Sequence, residues 1–390
     1  MGLRRILRNL DWWLIFAVLI LMGCGLGLID SATHSFAVST GKSWHFNRQS
    51  TFMLIAIFLA ICTLRFDYRI LKNYATPFYI FNVLILIAVM FFGTTQLGAQ
   101  RWIQIGGFTV QPSEFAKVFL IICLAAFMER RIEWLEDFKD YIPVFLYIFV
   151  PFVLVLKQPD LGTSLTFMAI LLGMIFVSGF KIRWFVWCTT LFVSLMPLIW
   201  RFVLKDYQKN RIRVFLNPEL DPYGSGYHVI QSKIAIGSGG LFGKGWLEGT
   251  QSQLNFLPEN HTDFIFAVVG EEFGFIGAAF ILLMYFIIIW RGITIALNAD
   301  DDFGTLLAVG VTSMFMFHIM VNIGMTIGIM PVTGVPLPFL SYGVSSLLTN
   351  TMLIALLLNI KVSDGRTRNA TSPLGSATTC RTRPSRSSML

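Results

Sequence analysis

Long apolar runs separated by short polar breaks fill most of the chain. They fall at 12–31, 49–64, 76–93, 113–129, 141–156, 162–179, 184–201, 264–290, 304–330 and 344–361. A helix needs roughly 20 residues to cross a hydrocarbon core of about 30 Å, so these runs predict about ten transmembrane helices. An even number places both termini on the same side. The fold class expected is an all-α polytopic membrane protein. One break, 202–262, is far longer than the others and rich in Gly, Pro and polar residues, and breaks of that length usually carry function. Inside it, "YHVIQSKIAIGSGG" predicts a short amphipathic helix ended by glycines and lying at the membrane surface. Residues 1–362 read as one transmembrane domain. The remainder, 363–390, is Ser-, Thr-, Arg- and Pro-rich without an apolar period and is expected to be a disordered basic tail.

Composition supports this reading. Hydrophobic residues make up 55% of the chain and charged residues 13%, which excludes an ordinary soluble domain. Four of the five cysteines, Cys24, Cys62, Cys123 and Cys188, lie in apolar runs, and Cys380 lies in the tail. Their spacing suits neither a metal site nor a disulfide framework. The first run follows Arg4, Arg5 and Arg8 but has no convincing cleavage site, so a retained helix is expected. Arg65, Arg69, Lys72, Arg130, Arg131, Lys139, Lys181 and Arg183 share the side of the termini. The opposite breaks hold only Lys42, Arg48, Arg101 and Lys157. The excess of positive charge predicts that the termini are cytoplasmic and that 202–262 faces outward.

Ionisable residues against hydrocarbon are costly, which makes each a functional candidate. In "QRWIQIGGFTVQPSEFAKVFL", Gln111, Glu114 and Lys117 share one face of a helix starting at Pro112, where a Glu114–Lys117 ion pair is equally compatible. In "KQPDLGT", Lys157 and Asp160 flank a proline, and Asp160 also suits the cap of the next helix. Arg101 stands beside Trp102 on the same side. In "NFLPENHTDFIFAVVGEEFG", Glu259, His261 and Asp263 crowd the start of an apolar run, where Asp263 could equally be a cap. All four places fall on the predicted outer side. "GSGGLFGKGW" lacks the Ser or Thr of a phosphate loop, and no dinucleotide fingerprint or His-Glu-x-x-His occurs. His318 is alone in a span and is expected to be a satisfied interior histidine, while Glu271 and Glu272 are expected to face a polar interior.

These residues sit within five ordered motifs, "RWIQIGGFTVQPSEFAK", "KQPDLGTSL", "NPELDPYGSGYHVIQSKIAIGSGGLFGKGW", "GTQSQLNFLPENHTDFIFAVVGEEFGFIG" and "GVPLPFLSYG". Together they resemble the SEDS family (shape, elongation, division and sporulation), and within it the RodA branch, over about residues 10–362. Val344 stands where the family pattern has a glycine after "SYG". The resemblance implies a peptidoglycan glycosyltransferase that polymerises lipid II at the outer face of the bacterial inner membrane during cell elongation. It also implies a class B penicillin-binding protein as the transpeptidase partner. Carried over residue by residue, it implies Asp263 as the catalytic residue and Arg101, Gln111, Glu114, Lys117, Lys157, Asp160, Glu259, His261 and Ser341 as substrate-binding; Arg48, outside these motifs, joins the substrate-binding set as a cation available to balance the diphosphate.

That chemistry agrees with the residue types. A desolvated aspartate at a membrane lip suits a general base, and nearby cations can balance a departing diphosphate. The carboxylates are compatible with a divalent cation, Mg or Mn, whereas neither a nucleotide nor a nucleic acid is expected. Two other classes remain open from the sequence. A flippase or transporter of the same lipid would need polar groups through the midplane and on both leaflets. A non-catalytic scaffold would leave the outer carboxylates without consequence.

Overall fold

The structure is a computed structural model, and it describes residues 8–41, 43–96, 99–105, 108–222 and 224–370. Every predicted span is a helix: α1 (Trp12–Ala32), α2 (Trp44–Thr63), α3 (Ala75–Phe92), α4 (Pro112–Glu129), α5 (Phe138–Lys157), α6 (Leu161–Val177) and α7 (Ile182–Leu198). After the long break come α8 (Asp206–Leu216) and α9 (Ser225–Gly239), followed by α10 (Ile265–Asn298), α11 (Asp302–Ile327) and α12 (Val344–Ala370). Among the described residues, eight helices are long and apolar enough to cross a membrane, and α6 is a shorter apolar one. The protein is a multi-pass, predominantly helical membrane protein. The expected tail boundary at 362 falls inside α12, and 371–390 lie outside the described residues.

Helices α4, α11 and α12 form the buried centre, with α11 packed against α6, α10 and α4. Polar anchors close the ends of the bundle. Asp11 caps α1 by accepting from Leu14 N at 3.2 Å and is ion-paired with Arg291 at 2.5 Å. Asn359 donates to the carbonyls of Thr63 and Phe66 at 2.7 and 2.8 Å, tying α12 to the end of α2. Helix α7 contributes no buried side chain.

One element departs from the all-α expectation. Between α3 and α4 the chain forms a small antiparallel meander of β1 (Thr94–Gln96), β2 (Ala99–Ile105) and β3 (Phe108–Val110). Its registers pair Thr94 with Trp102 and Ile103 with Val110. The β-branched and aromatic residues of "RWIQI" and "FTV" favour this pleated form, although the strands are too short to give a periodic signal. Arg101 is carried on β2.

Glycines explain how α10 can be broken. Gly274 has φ 63 and ψ −158 inside the helix, a conformation that glycine adopts without a Cβ penalty. The backbone groups freed there are taken up by residues 240–245. Lys244 N and Gly245 N donate to the carbonyls of Glu271 and Glu272 at 3.0 and 3.1 Å, and Phe275 N and Ile276 N donate to Gly240 O and Leu241 O at 3.0 and 3.2 Å. The glycine-rich stretch that superficially resembles a phosphate loop is therefore the patch over a helix break, as backbone next to lipid requires. The predicted helix before it is α9. It ends at Gly239, with Gly240 as its cap, and packs on α10 and α11.

Candidate functional site

The functional candidates gather where the 202–262 segment, the start of α10 and the 331–343 loop meet. Asp263 does not cap α10: the helix begins at Ile265, its cap residue is Phe264, and no side chain caps it. The segment is instead held by its main chain. Ser341 Oγ donates to Thr262 O at 2.6 Å, Tyr342 N to His261 O at 2.8 Å and Asn322 Nδ2 to Asp263 O at 2.9 Å. Ser341 also accepts from Leu337 N at 2.8 Å, so it joins two loops and works as a brace. Among the described residues, the Asp263 carboxylate receives no hydrogen bond.

The surroundings of that carboxylate decide its chemistry. Burial pushes Asp263 up to about 6 and the negative charge of Glu259 adds to it, while Arg211 and Arg101 oppose the rise. Two guanidinium groups, a second aspartate (Asp160) and Glu259 thus act on one carboxyl. Arg211, on α8, donates Nη1 to Val332 O and Thr333 O at 3.1 and 3.2 Å, and burial pulls its own pKa down. Arg101 donates Nε to Gln158 O at 3.0 Å and Nη2 to Pro159 O, and its Nη1 stands 3.8 Å from Asp160.

Asp160 caps α6 through Thr163 N at 3.2 Å and also accepts from Thr163 Oγ1, Gln111 Nε2 and Ser113 Oγ at 2.9, 3.2 and 3.3 Å. It is the hub joining β2, α4 and α6. Glu259 is exposed and accepts from Thr262 Oγ1 at 2.8 Å. His261, lowered by burial, sits in an aromatic group with His45 at 5.2 Å and Tyr342 at 5.8 Å between centroids. Arg48 lies over Trp44 at 4.9 Å, one turn along α2 from His45.

Other candidates lie apart. Glu114, in the first turn of α4, and Lys117, three residues deeper, form a buried ion pair at 2.7 Å, with Glu114 Oε2 unpartnered. Lys157 is exposed at the end of α5. His318 is fully buried beside Thr166, at 3.3 Å. Val344 is the first residue of α12, a helical position that tolerates a branched side chain as well as glycine.

Sequence reasoning missed Arg211, since one arginine among several in a polar segment carries no signal. It also left the roles of Glu271 and Asn322 unassigned. Glu271, fully buried, accepts from Lys244 Nζ at 2.7 Å, from Gln251 N at 2.8 Å and from Ser252 N at 3.2 Å. It caps the turn Thr250–Gln253 from a distant helix and so fixes the stretch leading to Asp263.

The "Cell cycle protein" family of FtsW, RodA and SpoVE matches residues 12–365. The chain belongs to this family. A SEDS relative, the peptidoglycan glycosyltransferase MrdB of Escherichia coli K12, is 46% identical over 280 residues, covering 72% of this chain and 75% of that protein. A solved structure described as showing structural coordination of polymerization and crosslinking by a peptidoglycan synthase complex is 31% identical. It has a TM-score of 0.77 and covers 91% of this chain and 98% of its own. The rod shape determining protein RodA of Thermus thermophilus is 29% identical with a TM-score of 0.67, covering 90% and 96%.

Proposed function

We propose that the chain is a peptidoglycan glycosyltransferase of the RodA branch, polymerising lipid II at the outer face of the bacterial inner membrane during cell elongation, with Asp263 as general base. The observation that carries this reading is the Asp263 carboxylate, unbonded and raised to about 6 at the lip of the bundle, with Arg101 and Arg211 acting on it. The named activity of the Escherichia coli relative supports the reaction class.

In this reading the acceptor hydroxyl attacks the anomeric carbon of the donor sugar while Asp263 accepts its proton. With a pKa near 6 the carboxylate is still mostly ionised at pH 7 and is a stronger base than an ordinary aspartate. As the new C–O bond forms, the bond to the polyprenyl diphosphate breaks and the electron pair leaves with the diphosphate. Arg211 commits only Nη1 to main-chain oxygens among the described contacts, which leaves its other N–H groups for that charge. Arg101 is fixed on carbonyls and Asp160, and it supplies positive potential from a rigid position. Asp160, Gln111 and Ser341 position; Glu259, His261 and Arg48 line the approach. A divalent cation, Mg or Mn, fits this lip only with diphosphate oxygens from the substrate. Among the described residues no three His, Cys, Asp or Glu side chains stand close enough to hold one, and no step is assigned to it.

The active partner on this reading is a class B penicillin-binding protein, supported by the structural relative from a synthase complex that couples polymerization and crosslinking. The arrangement of lysine and arginine supports cytoplasmic termini and an outward-facing site. The test is polymerisation of lipid II by purified protein with and without that partner. Asp263→Asn should abolish polymer while leaving the protein folded. Near wild-type polymer from the folded variant would end the general-base assignment.

A further inference from the structure

At the end of the bundle opposite Asp263, α4 finishes at Glu129 and α5 starts at Phe138. Both helices run from there toward the Gln111, Asp160 and Arg101 cluster, which fixes their common orientation. Between these two ends lies a cleft of about 620 Å³ lined by Arg130, Arg131, Trp134, Leu135, Lys139, Asp140 and Pro143. We propose that this cleft binds the phosphodiester headgroup of an anionic phospholipid, with the acyl chains lying along the outer face of α5.

Charge bookkeeping on the contacts favours an anion. Asp140, the one acid in the lining, spends Oδ2 on Asp137 N and Glu136 N at 2.9 and 3.3 Å as part of the α5 capping box. Nearby carboxylates are also taken: Glu129 by Lys72 at 2.5 Å, and Asp137 by Lys181 at 3.1 Å and Arg183 at 3.8 Å. Glu133 and Glu136 are exposed and do not line the cleft. Arg130, Arg131 and Lys139 form no ion pair among the described residues. The Arg131 guanidinium is held over the Phe127 ring at 4.0 Å, which orients it without neutralising it.

The apolar part of the ligand is specified by α5. Lys139, Ile142, Leu146, Phe149 and Val150 recur at spacings of three and four, so they share one helical face, and the four apolar members are exposed. One end of that face is a cation and the rest is a hydrocarbon track, with exposed Trp134 at the boundary, where tryptophan prefers to sit. A soluble phosphate would use the cations and ignore the track. Basic pockets between helix ends are known receptors for such headgroups.

The test uses the purified full chain in neutral phosphatidylcholine with added phosphatidylglycerol, reading retained lipid by native mass spectrometry. Wild type should retain phosphatidylglycerol in preference to phosphatidylcholine. The triple variant Arg130→Gln, Arg131→Gln, Lys139→Gln should lose that preference by roughly a hundredfold, at about fivefold per surface cation. Arg130→Lys with Arg131→Lys should keep most of it. Millimolar inorganic phosphate should not displace the lipid. An unchanged melting temperature in phosphatidylcholine shows the triple variant is folded; should it not fold, Arg130→Gln and Lys139→Gln singly carry the test. Undiminished retention in the folded variants overturns the site, and displacement by phosphate reassigns it to a soluble anion.

Discussion

Asn322 donates its Nδ2 to the main-chain oxygen of Asp263 at 2.9 Å and to Val335 O at 2.8 Å, so a buried amide on α11 ties the proposed base to the loop that faces it. Nothing in this tie touches the carboxylate itself. Asn322→Ala should therefore cost about 1–3 kcal/mol of stability through the stranded carbonyls. It should lower kcat by about tenfold to a hundredfold, because small misplacements of a catalytic group are expensive. Steady-state polymerisation rates should show the loss in kcat with little change in KM.

The raised pKa of Asp263 makes two pH predictions. Activity requires the ionised form, so wild-type kcat/KM should fall as the pH drops below about 6. Stability runs the other way. A carboxyl whose folded pKa lies above its unfolded value of 3.8 favours the fold below pH 3.8 and loses that contribution as pH rises through about 6. A shift of that size corresponds to about 3 kcal/mol. Asp263→Asn should melt higher than wild type at pH 8, and the gap should close by pH 4. Equal melting temperatures at pH 8 would contradict the burial of this charge.

Glu114 and Lys117 offer a separation of structure from substrate contact. Breaking a buried pair from one side typically costs about 3–5 kcal/mol. Glu114→Gln and Lys117→Met should each lower the melting temperature. Exchanging the two charges should recover stability, since the pair is local to one helical face. Polymerisation should not recover, because the unpartnered Glu114 Oε2 is left for a further contact that the exchange removes. Full recovery of activity would mean that the pair is only structural.

Glu271 is expected to matter without meeting substrate. Glu271→Ala removes the acceptor for Gln251 N and Ser252 N, at a cost of about 1–3 kcal/mol. The pH limb of any residual activity should stay near that of wild type, because the base itself is intact. Lys244→Met should be milder, as Lys244 is partly exposed and Glu271 keeps its main-chain donors.

Membrane sidedness checks the orientation. With native cysteines removed, single cysteines near Arg101 or Lys157 should react with an impermeant maleimide in intact spheroplasts. Cysteines near Arg69 or Lys181 should not. The reverse pattern would place Asp263 on the cytoplasmic side and remove the case for polymerisation outside.

The spans were legible because burial in hydrocarbon writes itself as long apolar runs, and Asp263 was legible because a charge at such a boundary is costly. Whether Asp263 caps the helix was not, since spacing alone cannot tell whether Asp263 or Phe264 precedes the first turn. Arg211 and Asn322 escaped for a related reason. Their importance lies in partners far away in sequence, Thr333 for one and Asp263 for the other. The meander around Arg101 escaped because strands as short as Phe108–Val110 hold too few residues to show alternation.

The break at Gly274 bears on how the protein is made. Half of α10 cannot satisfy its own backbone there, and the partners that complete it, Gly240, Leu241, Lys244 and Gly245, are synthesised earlier in the chain. Vectorial synthesis therefore delivers the patch before the helix that needs it. A circular permutant that moved 240–245 behind α10 would have to insert that helix with four polar groups open to lipid, so biogenesis, rather than final stability, is where such a rearrangement would fail.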